Sequence, residues 1–458
     1  MTIDDCEWVA TPYPTLNLTN LNNLKNLTNL HTPPMTIPAF YLPENPAYTI
    51  LDSLHDSVRF ARHCLTDYRG HRCATSSFVD PDGAPMLWHD FGPLEGPGWA
   101  ANAVGGAFEL HWYARVMGRP DVRQDALGIL DHALDDGFID WTTGFIKPYR
   151  HIPDDRFCLN YKSNDEWFCA GSLARIGSQL LRFADALPAD DARIPRMRQA
   201  AINLAGWLDA HVQPLKSGWF PRRCCPDGAP YPFTPEGGAD PLFERSADGL
   251  FILELWEQLT ARRLADYRKP LRKLARHVVT RGGIFGSINH DTYDEHESVA
   301  YAVTFRLFCR LGALLRDEML GAFAYNVALK GLRRFEMKEN RNGVATQGLL
   351  WMERSWDTAY LWENAHAAQA YLEACLDTGR KLYLAKALTI LRAIAKHHHG
   401  PHGFLTEGVD WNNHVSAQHH FDHAEFGDIR YTEPLLNNLH LAEPTLFWLE
   451  RVALPMNL

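Results

Sequence analysis

Long apolar runs are missing from this chain of 458 residues. None approaches the ~18 apolar residues that a membrane-spanning helix needs, so no membrane partner is expected. The first residues, Met1-Thr2-Ile3-Asp4-Asp5, carry neither the basic nor the apolar region of a secretory signal, which predicts a cytoplasmic location. A disulfide framework is missing too. The nine cysteines are odd in number and scattered through helical patterns, as expected of reduced thiols. Positive charge is in deficit: 45 Lys+Arg stand against 55 Asp+Glu, for a net charge of −10. With no basic stripe either, nucleic acid is excluded as an expected partner. No H-E-x-x-H zinc spacing and no D-x-D-D run occurs, and neither a metal nor a cofactor is expected. Strand patterns are few and short.

Aromatic residues are plentiful: 14 Trp, 16 Tyr and 23 Phe. Trp beyond the needs of a core would suit stacking on sugar rings, although Trp also simply packs. With 46% hydrophobic and 22% charged residues, the composition is that of a soluble protein. A chain this long buries roughly three quarters of its unfolded surface, so a large core needs no staples. Residues 1–45 read as a peripheral arm that includes the low-complexity Leu/Asn/Thr run Leu16–Leu30. Residues 46–458 read as a single catalytic domain.

Within that domain, helical periodicity marks about twelve segments: 48–67, 98–117, 120–136, 165–187, 189–212, 246–262, 264–280, 295–315, 317–336, 356–377, 379–398 and 432–450. A Gly followed by an apolar residue closes every second one: Gly144-Phe145, Gly218-Trp219, Gly283-Ile284, Gly343-Val344 and Gly403-Phe404. The spacing of about 60–75 residues is that of one helical hairpin plus a long loop. Short connections, Gly118-Arg119-Pro120 and Thr378-Gly379, lie inside hairpins. Six hairpins with every long loop at one end predict an all-α, (α/α)6 toroid. Open superhelical stacking is the alternative, but solenoid repeats keep their connections short, whereas these are long, irregular and aromatic-rich.

In such a toroid the starts of alternate helices converge on one mouth. The residues there are Trp99 and Asn102, Asp165 and Glu166, Glu244 and Asp248, Asp294 to Glu297, Trp356, Asp357 and Glu363, and Thr432 with Glu433. Acids at helix starts are ordinary N-terminal chemistry taken singly. Carboxylates at five of six entrances, beside aromatics, are what glycosidic chemistry needs: one carboxyl to protonate the leaving oxygen and a second to activate water or attack the anomeric carbon.

One entrance, Asn164-Asp165-Glu166-Trp167-Phe168-Cys169 followed by Leu173-Ala174-Arg175-Ile176-Gly177, resembles a segment of the unsaturated glucuronyl and rhamnogalacturonyl hydrolases of the six-hairpin glycosidase group. The resemblance covers about fifteen residues and implies that Asp165 is the general acid/base. The chain departs from that family's Asp-Asp and Met at Glu166 and Cys169. The family's second catalytic Asp has Asp90, in Trp88-His89-Asp90, as its nearest counterpart.

Further candidates come from the residues themselves. In His290–Ser298, Glu297 or Asp294 can point into the mouth, with His296 or Tyr293 as a proton carrier. In Trp351–His366, Trp356, Tyr360 and Glu363 fall three or four apart on one helix face, and Asp357 lies beside them. In the last loop, Trp411, Asn412 and His414 are candidate binding residues, and the loop goes on through His419-His420 and Asp422-His423. Trp88 and Trp219 offer sugar platforms, and Arg222 with Arg223 offers a two-point contact to a uronate. Adjacent Cys224-Cys225 without a second pair is a weak metal signal. The expected function is glycoside hydrolysis of short oligosaccharides, possibly uronate-containing, by Asp165 with a partner among Asp357, Glu297 and Asp90. A sugar epimerase or polysaccharide lyase using His296, Tyr293, His366 or His414 is the second reading, and a non-catalytic helical scaffold the third.

Overall fold

The computed structural model describes Pro38, residues 40–415 and residues 426–452. The Leu16–Leu30 run and the residues His419, His420, Asp422 and His423 lie outside the described residues. Helices come in chain order as α1 (Ile50–His63), α2 (Ala103–Met117), α3 (Pro120–Asp135), α4 (Ala170–Ala186), α5 (Arg193–His211), α6 (Leu250–Ala261), α7 (Arg268–Thr280), α8 (Ser298–Leu315), α9 (Glu318–Phe323), α10 (Leu361–Thr378), α11 (Lys381–Ile394), α12 (Asn437–His440) and α13 (Ala442–Phe447). A π-helical stretch, Ala324–Leu329, extends α9.

Two rings result. The inner one passes from α2 to α4, α6, α8, α10 and then α12–α13, which pack back onto α2 and close the circle. The outer ring is α3, α5, α7, α9 and α11, each packed on the inner helix before it. Its sixth member is α1, which lies against α12 and α13 and so joins the two ends of the chain. This is the (α/α)6 toroid.

Composition sorts the rings. On α10, 14 residues are buried, among them five alanines, so neighbours can approach from every side. On α7 only Leu271, Leu274, Ala275 and Val278 are buried, the single stripe of a helix with one wet face. Helix α8 has the length and apolarity of a membrane span (mean hydropathy 1.4), yet 67% of it is buried as inner wall of the toroid. The repeat glycines have a common reason: Gly144, Gly218, Gly283, Gly343 and Gly403 all lie at positive φ, where a Cβ is unfavourable. Gly118 at φ 65° ends α2 two residues before Pro120 opens α3.

Short strands lie among the loops. Thr66–Tyr68 (β1) pairs with His71–Cys73 (β2); Leu94–Glu95 (β3), Tyr149–His151 (β4) and Arg156–Cys158 (β5) form one antiparallel sheet. Ala359–Tyr360 (β6), Gly408–Asp410 (β9) and Gly427–Asp428 (β10) form another, with β9 central, and His398–His399 (β7) pairs with Phe404–Leu405 (β8). The sheet around β9 ties the last long loop to the start of α10. Before α1, the strap at 40–44 clasps α11: Arg392 binds Leu42 O at 2.9 Å and Glu44 at 2.6 Å.

Helix α4 starts later than its sequence pattern suggests. Asp165 and Glu166 stand outside it, and Ser163 and Asn164 do not cap it. Asp248, 77 residues on, supplies the carboxylate at this helix start, accepting from Gly171 N at 2.8 Å and from Ser172 Oγ at 3.0 Å. Burial pushes the Asp248 carboxyl up to about 6.

Candidate active site

At the mouth lies a small pocket with about 90 Å³ of free space. Its aromatic walls are Phe78, Phe91, Trp99, Trp356, Tyr360, Trp362 and Tyr431. Phe78 meets Phe91 and Tyr431 edge-on, each at 5.1 Å. Trp99 and Trp362 meet edge-on at 5.3 Å and form the floor. Trp356 donates Nε1–H to Tyr360 Oη at 2.7 Å, which fixes both rings.

Three carboxyls reach this pocket: Asp291, Glu407 and Glu433. Glu407 follows β8, with its N–H bonded to Tyr431 O at 3.1 Å, and Glu433 lies two residues beyond Tyr431. Asn437 and Asn438 hold that crossing by bonds to Thr432 Oγ1 at 3.0 and 2.8 Å. The Glu407 and Glu433 carboxyls are neighbours and influence each other, with Tyr431 beside Glu407. Burial raises both above the usual carboxylate range. The charge of Glu433 adds to the effect on Glu407, and that of Asp291 to both. Two buried carboxyls in contact cannot both ionise, so the pair keeps a proton at neutral pH.

Asp291 is half-buried and belongs to a loop, 286–297, whose backbone is gripped from behind by charged side chains. Arg222 donates to Asn289 O and to Thr292 O, the latter at 2.6 Å, and Arg223 donates to His290 O. Glu297 accepts from Ile288 N and Asn289 N. Glu353 accepts from Tyr293 N at 3.1 Å and Asp294 N at 3.2 Å. Glu363, on the first turn of α10, binds Ser298 Oγ at 2.8 Å and Asn289 Nδ2 at 3.4 Å. Burial holds Glu297, Glu353 and Glu363 above the ordinary range, and mutual repulsion pushes Glu297 and Glu363 further. His290 lines the pocket with Nε2 2.7 Å from Ser172 Oγ, which in turn bonds Asp248. Burial, then the nearby arginines, lowers its imidazole to about 3 and keeps it neutral.

Beneath the tryptophan floor is a second, axial cavity, reached by Glu109, Arg175, Arg182, Arg306, His366, His440 and Glu443. His366 and His440 approach Nε2 to Nε2 at 3.0 Å, and Arg175 lies 4.3 Å over Trp99. Both imidazoles are held neutral, chiefly by burial. Arg182 and Arg306 bind Glu443 at 2.8 and 2.7 Å. Elsewhere, Cys73, Glu95 and His132 bring one possible ligand atom each within 4.8 Å of one another. There His132 already bonds Asp136 and, at 2.7 Å, Glu95, which Arg150 meets at 3.3 Å. None of these residues lines the pocket.

The structure distributes the sequence candidates unevenly. Trp356 lines the pocket, and His414 stands behind it with ring centroids 5.0 Å apart. Glu297, Glu363 and Arg222 are buried behind the loop of Asp291. Asp165 is outside the pocket, its side chain 60% exposed and 3.6 Å from Arg156. Asp90 is 58% exposed and paired with Lys162 at 2.7 Å. Asp357 is half-buried outside the lining, raised by burial and then by the charge of Asp294. Trp88 is 69% exposed, whereas Trp219 is wholly buried and bonded to Ser246 O at 2.9 Å. His296 is exposed, with Tyr301 Oη at 2.7 Å, and Trp411 is half-buried against Asn342. Asp291, Glu407 and Tyr431 had not stood out. The signal for Glu407 was its place just after the last repeat glycine.

Fold and mouth together define an (α/α)6 toroid with a pocket among its long loops. No family model matches the sequence, and no curated protein matches it significantly. Solved structures do match. A cellobiose 2-epimerase from Bacillus thermoamylovorans superposes with a TM-score of 0.61 at 11% identity, covering 88% of this chain and 98% of that one. A D-mannose isomerase gives 0.60 at 10% identity over 87% and 97%. A family 76 glycoside hydrolase from a bovine Bacteroides thetaiotaomicron strain gives 0.53 at 12% identity over 87% and 78%. Similarity at this level establishes the fold; function has to be argued from the site.

Proposed function

We propose that this protein is a glycoside hydrolase acting on short oligosaccharides, with the Glu407–Glu433 pair as proton donor and Asp291 as the second carboxylate. One observation carries the reading: two neighbouring buried carboxyls and a further carboxylate converge on one aromatic-walled pocket. A donor must hold its proton at working pH, and burial does this for the pair. Asp291, more exposed and on a fixed loop, is suited to activate water or to attack the anomeric carbon. The walls stack on the sugar, and the small volume suits the end of a short chain.

The test is reducing-sugar release across a panel of short oligosaccharides. Glu433→Gln and Asp291→Asn are each expected to lower kcat by about 10²–10⁴-fold with the melting temperature kept. Asp165→Asn is expected to stay within about threefold of wild type. The converse pattern, with Asp165 essential and Glu433 dispensable, would sink the assignment. In a product complex, carboxyl separations of about 5–5.5 Å or 6.5–9.5 Å across the sugar would indicate retention or inversion.

A second reading, sugar epimerisation or isomerisation, is favoured by the neutral His366–His440 pair on the toroid axis. Such a pair can pass a proton beside a carbonyl. The tryptophan floor stands between it and the mouth, so this chemistry needs the sugar to go deeper. Uptake of deuterium from D2O at a sugar carbon, lost in His366→Asn, is its signature.

A further inference from the structure

We infer that Cys73, Glu95 and His132 form a zinc site that clamps the loop between α1 and α2 onto α3. Their ligand atoms (a thiol sulfur, a carboxylate oxygen and an imidazole nitrogen) lie within 4.8 Å of one another, and all three side chains are buried. Ligand atoms on a tetrahedral zinc stand about 3.3–3.6 Å apart, so shifts of about 1 Å or less bring these three onto one ion. Each comes from a different element: Cys73 ends β2, Glu95 lies in β3 and His132 in the last turn of α3.

The surroundings match those of a metal ligand set. His132 Nδ1 meets Asp136 one turn along α3, while Nε2 meets Glu95 at 2.7 Å. The first contact fixes the ring and leaves Nε2 as the ligand atom, the carboxylate–histidine arrangement that stands behind many zinc ions. Arg150 bonds Glu95 Oε1 at 3.3 Å and also Asp136 O, which holds both acids in place. His71 lies two residues before Cys73, on the same face of β2. Its Nε2 is 3.6 Å from Asp136 and its ring centroid 5.7 Å from that of His132, so it is placed to supply a fourth ligand.

A charge count explains why so dry a place accepts a divalent ion. Without one, both His132 nitrogens meet carboxylates, the bonding of an imidazolium, and with Arg150 it balances Glu95 and Asp136. Zn2+ brings two positive charges, and two protons leave as the metal bonds form, one from Cys73 Sγ and one from His132 Nε2. The cluster is neutral before and after. An ion-paired His132 alone gives Cys73 no task, since among the described residues nothing hydrogen-bonds its Sγ. Thiolate with imidazole suits zinc and disfavours Mg2+ and Ca2+. Glu95 stands four residues before Trp99, so the clamp also steadies the strand leading to the pocket floor.

The test strips the full chain with a chelator and titrates it with ZnCl2 and, separately, with CoCl2. Zinc is expected to bind with one ion at this site and to raise the melting temperature by several degrees. Cobalt is expected to give the charge-transfer absorption of a cobalt–thiolate bond. Cys73→Ser is expected to abolish that band and to weaken zinc binding by about 100-fold or more, whereas Cys225→Ser keeps both. Asp136→Asn, which loosens the His132 ring from behind, is expected to weaken zinc by about 10–100-fold with the band retained. Anomalous diffraction at the zinc edge locates the ion in the wild-type protein, and decides the question even where Cys73→Ser fails to fold. No zinc bound at micromolar concentration, a cobalt–thiolate band that survives Cys73→Ser, or zinc located away from His132 overturns the inference.

Discussion

Glu433 and Glu407 hold a proton because they share a space too dry to solvate two charges. Burial raises the pair, and the charge of Asp291 pushes the same way. The form that can protonate a leaving group therefore persists through neutral pH and is lost only as pH rises through the raised value. The rate profile is expected to fall on the alkaline side. Measured as kcat/KM against pH, that limb should vanish with Glu433→Gln, whose residual rate is flat there. A profile whose alkaline limb survives the substitution would move the donor elsewhere. At this scale the sequence was only partly legible. Glu433 stood at a helix entrance and could be named, as could Trp356. Glu407 lies between two strands of two or three residues, and only its contact with Glu433 gives it a role. Asp165 sits in the segment with the strongest resemblance, yet its side chain faces solvent, whereas Tyr161 and Ser172 of that stretch meet His290.

The loop 286–297 is the element that decides the site. It has little regular structure of its own, so its shape comes from Arg222, Arg223, Glu297 and Glu353 bonding its backbone groups. A buried carbonyl that loses a charged donor is left unsolvated, at a cost of about 2–3 kcal/mol. Arg222→Met is expected to lower the melting temperature by several degrees and kcat by tenfold or more, because Asp291 loses its fixed position. Thermal unfolding and steady-state kinetics on one preparation check both. Unchanged kcat in a destabilised protein would mean that the loop keeps its shape without the arginine. Helix starts were legible to within five residues; α2, α10 and α12 begin five residues late, and so does α4. There the acids before the helix looked like its N-terminal charges, while Asp248 from the next hairpin fills that place. Local spacing cannot reveal a cap that arrives from 77 residues away.

For the whole molecule, buried titratable groups set how stability follows pH. Glu297, Glu353, Glu363, Glu407 and Glu433 are all raised by burial. The folded state holds those protons longer than the unfolded chain, so stability falls as pH rises above about 4.5 toward the raised values. His290, His366 and His440 are lowered, so the unfolded chain takes up protons first, and stability falls as pH drops below about 6.5. The melting temperature is therefore expected to peak within the window of about pH 4.5 to 6.5 where the two trends oppose each other, and to decline on both sides; scanning calorimetry from pH 4 to 9 measures this. A plateau extending past pH 8 would mean that the acids are ionised in the folded protein.

The ring itself was the most legible feature. Five glycines forced to positive φ mark the ends of successive hairpins, and a marker with a steric cause survives any change in the residues around it. Which helix completes the sixth hairpin was not legible, since α1 and α12–α13 are partners from opposite ends of the chain. That closure has a consequence for biosynthesis. Phe78 and Phe91 leave the ribosome long before Glu407, Tyr431 and Glu433, which share the pocket with them. A chain stopped short of Glu433 lacks both that carboxyl and the inner helices that close the circle, so the mouth pocket forms only after both partners in the closing contact have been made.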